Sequence, residues 1–233
     1  MKKLLTILLL APIFVNPQNK IDGIGQFKIN KTTLKDIEQF ADGLKLEMKS
    51  SDQILDFSSE AGNTTKILYV AANSDDFLTS PYAPILKNEK VIYIDNLHIA
   101  GIIIQDVYMN FWNDTLYKIE SNGSDELIEA IKLKYGNPVT TKKERLLQCR
   151  SGAGVLYNEK AVTYTSKWVG LSNIQGINVV GKNFDLNCKA MFSSTFQVLN
   201  SSKDNKVRAL ASQYLTKKKN EDDKAKKSKL NDL

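Results

Sequence analysis

The segment from Val107 to Ile119 constrains the fold more than any other part of the sequence, because its pattern is that of a β-hairpin. It reads VYMNFWNDTLYKI, and two runs of alternating apolar and polar residues flank the turn residues Asn-Asp-Thr. The predicted register has the opposite pairs Trp112 with Leu116, Phe111 with Tyr117, Met109 with Ile119, Asn110 with Lys118 and Tyr108 with Glu120. A slip of one residue would mix the apolar and polar faces, so the pattern favours this register.

Apolar periodicity and cap residues predict the other elements. Thr33 and Ser124 are suited to cap helices that end near Gly43 and Gly136, and a third helix is predicted over 203–215. The other predicted strands are 26–29, 53–58, 66–71, 90–94, 99–104, 145–149, 155–157, 161–168, 176–180 and 191–199. We therefore predict an α+β fold, with a mostly antiparallel sheet, a few packed helices and a C-terminal helix.

The N-terminal segment has the composition of a signal peptide. Lys2 and Lys3 form a basic start, and Leu4 to Val15 form an apolar run. That run is shorter than the roughly 20 residues that a membrane-spanning helix needs. We predict a signal peptide at residues 1–19 and a periplasmic or secreted location, with a buried N-terminal helix or strand as the alternative. No Cys follows the run, which argues against a lipidated N-terminal Cys.

Positive charge is concentrated at the two ends of the chain. The formal net charge is +6, of which Lys2 and Lys3 supply +2 and residues 217–229 supply +4. The remaining body is nearly neutral, which argues against a nucleic-acid partner. We predict a single domain at 20–215, with a sub-boundary near 138–144 as an alternative, and a disordered basic tail at 216–233. The tail's charge would allow weak, reversible contact with an anionic membrane surface.

Cys149 and Cys188 are the two cysteines of the chain. In an exported protein such a pair is expected to form a disulfide, which would stabilise the fold by up to about 4 kcal/mol in the chain-entropy model. The alternative is two buried free thiols. Two Cys and one His cannot complete a structural zinc shell without carboxylates, so no metal site is predicted. The short Gly-x-Gly pairs lack the rest of a phosphate loop, and no cofactor is predicted.

The sequence offers two hypotheses for a chemical site, a hydrolytic site at His98 and a calcium site in an acidic loop, and each depends on few residues. His98 is the single His, and Asp95 and Asp106 are its neighbours in sequence, but no nucleophile motif accompanies it. A structural role for His98 in a strand is the simpler interpretation. Asp75 and Asp76, with Asp52 and Asp56 upstream, offer oxygen ligands for calcium but lack the spacing of a calcium loop, which favours a solvated acidic loop.

Aromatic side chains offer a candidate binding patch. Trp112, Trp168 and Tyr108 are its predicted members, since aromatic residues are enriched at protein interfaces. The competing interpretation is that these side chains belong to the core. No catalytic residue is predicted.

The N-terminal half resembles a known family. The string GQFKINKTTLKDIEQF, followed by strands that end in MNFWNDTLYKI, is similar to small periplasmic modules of the SmpA/OmlA type over residues 22–120. The resemblance implies a glycine-led start, a Thr-capped helix, a meander that ends in a hairpin, and a non-enzymatic envelope protein. The chain lacks the lipidated Cys of that family and has a large strand-rich extension.

The sequence therefore predicts an exported binding or assembly protein of the cell envelope without catalytic activity, with an unidentified envelope protein or ligand as partner. The alternative is a small secreted hydrolase that uses His98 or the acidic loop. A carboxylate and a hydroxyl beside His98 in a cleft would favour the hydrolase.

Overall fold

Three helices and eleven strands make up the described part of the protein. The structure is a computed structural model, and it describes residues 19–50, 65–70, 82–150, 154–185 and 187–231. The predicted signal peptide, the predicted strand at 53–58 and the acidic loop with Asp52, Asp56, Asp75 and Asp76 lie outside these residues.

The helices are α1 (Leu34–Gly43), α2 (Asp125–Tyr135) and α3 (Ser201–Asn231). Thr33 and Asp36 form a capping box at the start of α1, and Ser124 caps α2 through a bond from the Leu127 amide. Helix α3 continues through the Lys-rich segment, where the sequence pattern predicts a disordered tail. The division into one domain and a tail stays a prediction.

The strands form a small hairpin and one large sheet. They are β1 (Gly23–Ile24), β2 (Phe27–Lys28), β3 (Lys49–Ser50), β4 (Ile67–Tyr69), β5 (Glu89–Ile99), β6 (Ile102–Trp112), β7 (Thr115–Asn122), β8 (Val139–Arg150), β9 (Leu156–Val169), β10 (Ile174–Phe184) and β11 (Ala190–Asn200). Strands β1 and β2 pair with each other, and the other nine follow the order β3-β4-β5-β6-β7-β11-β10-β9-β8.

The predicted fold class is wrong. The protein is mostly β, with 49% strand and 27% helix, and its nine-stranded sheet is mixed because β3 and β4 run parallel. Apolar patterns could not reveal this pairing, because a short edge strand has the same pattern in either direction. The predicted fragments 155–157 and 161–168 are also one continuous strand, β9, whose two faces are largely exposed and therefore show no clear alternation.

The predicted hairpin of β6 and β7 is present, but the register predicted for it near the turn is wrong. The pairs Met109 with Ile119 and Asn110 with Lys118 agree with the prediction. Closer to the turn, a bulge shifts the register so that Phe111 lies opposite Leu116. The loop is therefore the two residues Asn113 and Asp114, both with positive φ, which two-residue hairpin turns of this kind require.

The core lies on one face of the sheet, which we call the inner face. Its fully buried side chains include Met109, Phe111, Ile119, Phe196 and Val198, and α1, α2 and the β1–β2 hairpin cover them. The opposite, outer face is covered in part by the first turns of α3, where Val207 and Ala211 are buried. Together, the layers on the two faces cover β5 to β7 and the adjoining ends of β10 and β11.

The rest of the sheet extends beyond this cover. We call it the ribbon: strands β8 and β9 up to Ser166, with residues 180–193 of β10, its turn and β11. Almost every side chain of β8 is exposed. At the far end of the ribbon, Cys149 and Cys188 form the predicted disulfide, which joins the tip of the β8–β9 hairpin to that of the β10–β11 hairpin. Cys149 is buried by this contact.

Candidate functional site

A cleft of about 600 Å³ opens where the N-terminal segment meets the last turn of α2 and the β9–β10 turn. We call it the lysine cleft, because its walls carry Lys20, Lys28, Lys31 and Lys134. The described walls contain one acidic side chain, Asp22, whose Oδ1 accepts a hydrogen bond from Lys28 Nζ at 2.8 Å. The cleft therefore has an excess of three positive charges.

Close backbone packing positions the walls of the cleft. Gly170 lies so near Ile21 that a Cβ at this position would collide with the Ile21 carbonyl oxygen. The end of α2 is held to β9 because Trp168 Nε1 donates a hydrogen bond of 2.7 Å to the Gly136 carbonyl oxygen. That end of the helix carries a partial negative charge, so the lysines and not the helix make the cleft cationic.

The inner wall of the cleft is apolar apart from one hydroxyl. Ile21, Ile29 and Ile174 are buried side chains of this wall, and the ring of Tyr135 lies beside them. The Tyr135 hydroxyl is buried beside the Asp22 carboxylate, but it forms no well-aligned hydrogen bond with a described residue. Burial raises the pKa of Tyr135, which keeps the hydroxyl protonated at neutral pH and able to donate. Lys134 Nζ lies 5.1 Å from the centre of the same ring.

A second groove, on the outer face, is occupied by paired groups. This groove of about 450 Å³ lies between α3 and β7, and we call it the tyrosine groove. Tyr117 donates a hydrogen bond of 2.8 Å to Glu89, and Lys118 forms an ion pair of 2.5 Å with Glu120. Burial raises the pKa of Tyr117, so it also stays protonated. Because these groups satisfy one another, the groove is better explained as the joint that holds α3 to the sheet.

The three predicted aromatic residues do not form one patch. Trp168 is 4% exposed and belongs to the inner core, where it packs against the edge of Phe196. Tyr108 lies on the outer face and stacks on Tyr82, with ring centres 3.8 Å apart. Trp112 follows four residues later on the same face of β6. A binding role for any of these residues stays a prediction.

His98 has no catalytic surroundings. It is exposed on β5 opposite Ile103, and no carboxylate or hydroxyl partner contacts it in the part of the chain that the structure describes. The described residues also contain no group of three or more His, Cys, Asp or Glu side chains placed to hold a metal. None of the described helices is both long and apolar enough to cross a membrane.

The sequence analysis missed the lysine cleft. Its lysines lie on three separate segments, and only the spacing of Lys20, Lys28 and Lys31 gave a local signal. These three lysines come together only because the β1–β2 hairpin reverses the direction of the chain. Tyr135 follows the apolar periodicity of α2, but the burial of its hydroxyl in the cleft is visible only in the structure.

Comparison with known proteins gives one curated match. Over 155 residues the chain is 28% identical to a protein of Picrophilus torridus named ferredoxin–NADP reductase. The match covers 64% of this chain but 43% of the relative, so the chain spans less than half of the relative's length. No protein-family profile matches the chain, and no solved structure does.

This relative corrects the predicted function. A name that denotes an oxidoreductase conflicts with a non-catalytic envelope binding protein and equally with a secreted hydrolase, so both predictions are wrong. The predicted envelope partner is wrong for the same reason, because the relative's name points to ferredoxin and NADP. The description as a secreted binding protein is wrong for the same reason, and neither the comparison nor the structure supports a signal peptide. The periplasmic or secreted location and the SmpA/OmlA-type resemblance stay predictions.

Proposed function

We propose that the protein binds a phosphorylated ligand of the nucleotide type in the lysine cleft, with NADP as the first candidate. The observation that carries the proposal is the cleft itself, in which four lysines and one carboxylate surround an apolar wall that contains the buried Tyr135 hydroxyl. Lysines are common ligands of phosphate groups, and an apolar wall suits a planar ring. The volume of about 600 Å³ lies within the range of small-molecule sites.

NADP is the first candidate because it appears in the name of the relative. The described residues do not contain the usual dinucleotide site, a glycine-rich turn between a parallel strand and a helix. The one parallel pair among the described strands is β3 with β4, and no described helix joins them. The proposal therefore concerns recognition of phosphate by lysine side chains, and it includes no step of electron transfer.

Titration of the full chain with NADPH, followed by the fluorescence of the nucleotide, tests the proposal. We expect saturable binding that weakens as salt is added. Lys31→Ala and Lys134→Ala should each weaken binding by about tenfold, since a hydrogen bond to a charged group contributes about 1.5–3 kcal/mol. Lys35→Ala and Lys206→Ala are matched controls, because these lysines are exposed but lie outside the cleft. NADH and inorganic phosphate should bind more weakly than NADPH.

Tyr135→Phe provides a second variant. It removes a hydroxyl that lies beside Asp22 without a well-aligned hydrogen bond, so it should change the melting temperature little, yet it should weaken NADPH binding if the ligand contacts that hydroxyl. Absence of saturable binding up to about 1 mM, a weak affinity on any scale, would contradict the proposal. Equal weakening by the control variants would contradict it as well.

A further inference from the structure

The lysine cleft has two parts that differ in exposure and in charge pairing. The part that we call the rim carries Lys20, Lys31 and Lys134, which are exposed and form no ion pair with an acid that the structure describes. The part that we call the floor holds Asp22 and Lys28, whose side chains are 42% and 28% exposed and pair at 2.8 Å. The excess positive charge of the cleft therefore lies at the rim, while the charges of the floor balance each other.

The floor can accept further hydrogen bonds. An ionised carboxylate has about four lone-pair sites, and Lys28 Nζ occupies one of them at Oδ1 of Asp22. The Tyr135 hydroxyl lies beside this carboxylate without a well-aligned bond. Because Lys28 already balances the charge of Asp22, a neutral donor suits the remaining sites better than a second cation. A phosphate oxygen only accepts hydrogen bonds and is repelled by the carboxylate, so a phosphate is directed to the rim.

The side chain of Tyr135 places the rim and the floor within reach of one small group. Lys134 Nζ lies 5.1 Å from the centre of the ring, and the hydroxyl of the same ring lies beside Asp22. A ligand that contacts both must therefore carry its phosphate and its donor on one compact unit. A sugar phosphate is such a unit, since its hydroxyls are neutral donors that lie a few bonds from the phosphate.

We infer that the cleft recognises a phosphorylated sugar as one unit, with the phosphate at the rim lysines and a sugar hydroxyl that donates a hydrogen bond to Asp22. The inference rests on the proposed function and names the part of the nucleotide that the cleft contacts. Asp22 is then a specificity-determining residue. A ligand without the hydroxyl takes water away from the carboxylate and offers no donor in return, which lowers its affinity.

Calorimetric titration of the full chain with adenosine 5′-phosphate and with its 2′,3′-dideoxy form tests the inference. The two probes share the phosphate and the base and differ only in the sugar hydroxyls. We expect the dideoxy form to bind at least about tenfold more weakly, the effect of losing a hydrogen bond to a charged group. In Asp22→Asn this ratio should fall below about threefold, because a neutral amide oxygen is the weaker acceptor. The same variant should bind inorganic phosphate more tightly, since a negative charge has left the cleft.

Two further variants separate recognition from a structural role. Asp42→Asn is the matched control, because Asp42 is an exposed acid of α1 outside the cleft and the net charge changes equally. It should leave the ratio and the affinity for phosphate unchanged. Lys28→Ala breaks the pair of the floor but keeps the carboxylate, so both nucleotides should bind more weakly while the ratio between them is retained.

Equal affinity for the two nucleotides would overturn the inference, as would a preference that Asp22→Asn leaves intact. Failure of adenosine 5′-phosphate to bind where NADPH binds would overturn it as well, because the phosphate and the hydroxyl would then not be recognised on one sugar. In these cases saturable NADPH binding would leave the proposed phosphate site in place. Absence of NADPH binding would instead overturn the proposed function and this inference together.

Discussion

The covered half of the sheet and the ribbon use the same strands in different surroundings. Phe196 and Phe192 lie on the same face of β11, four residues apart, and one is fully buried while the other is 78% exposed. The hydrogen-bonded ladder of β10 and β11 continues without a break through both positions. Backbone pairing thus extends the sheet beyond the point at which side-chain burial supports it. In the ribbon, the remaining supports are the ladder, the disulfide and a few exposed ion pairs.

Truncation of the two phenylalanines should show the largest difference between the halves. Phe196→Ala removes a buried ring and should lower the free energy of unfolding by about 3–5 kcal/mol. Phe192→Ala, the matched control, should change it by less than about 0.5 kcal/mol, since little burial is lost. Urea unfolding of each variant measures both values. Equal losses would mean that the ribbon is covered in solution by its own chain.

The disulfide should give the second largest effect, and its effect should be local. It closes a loop with a sequence separation of 39, for which the chain-entropy model and measured cases give about 2–4 kcal/mol. Cys149→Ala/Cys188→Ala should therefore destabilise the protein by that amount. Amide hydrogen exchange should become faster at the tips of β8–β9 and β10–β11 and stay slow in β5 to β7. Uniformly faster exchange would show that the ribbon unfolds only together with the core.

This contrast also explains which parts of the fold could be predicted. The β6–β7 hairpin and the helices α1 and α2 have one fully buried side and one more accessible side, so their periodicity and caps predicted them well. Strands β8 and β9 have little burial on either face, so the sequence showed short fragments instead of strands of 12 and 14 residues. The bulge in β7 was missed because the predicted register places one residue opposite one residue throughout, whereas Leu116 and Tyr117 are adjacent and both buried.

The candidate site was less predictable than the fold. The disulfide could be predicted once an exported protein was assumed, because two cysteines allow a single intramolecular pairing. The lysine cleft instead combines the N-terminal segment, β2 and the end of α2, which are separated by about a hundred residues. Their proximity depends on where α2 crosses the inner face, and no local pattern encodes that crossing. The aromatic residues were grouped by type, and the sheet then placed Trp168 and Tyr108 on opposite faces.

The smallest effects should come from two exposed carboxylates, one in each half. Asp36 belongs to the capping box of α1, where bonds from the Thr33 amide and hydroxyl hold its pKa below the usual value of 3.8. Glu144 lies in the ribbon, where Lys142 and Lys160 hold its pKa below the usual value of 4.5. A carboxylate with a lowered pKa stabilises the folded state above its unfolded pKa, and this contribution is lost as the pH falls through the lowered value.

The two carboxylates should differ in what their protonation affects. Asp36→Asn should lower the melting temperature slightly at pH 7, because α1 packs on the core, and the difference should shrink as the pH falls below the usual pKa of 3.8 and through the lowered value of the folded protein. Glu144→Gln should leave the melting temperature unchanged, since exposed ion pairs contribute little, and should only speed amide exchange in β8 and β9. Thermal unfolding across this pH range, with NMR titration of both carboxyl groups, measures the two responses. A melting temperature that follows Glu144 as closely as Asp36 would show that the ribbon is coupled to the core through more than its backbone ladder.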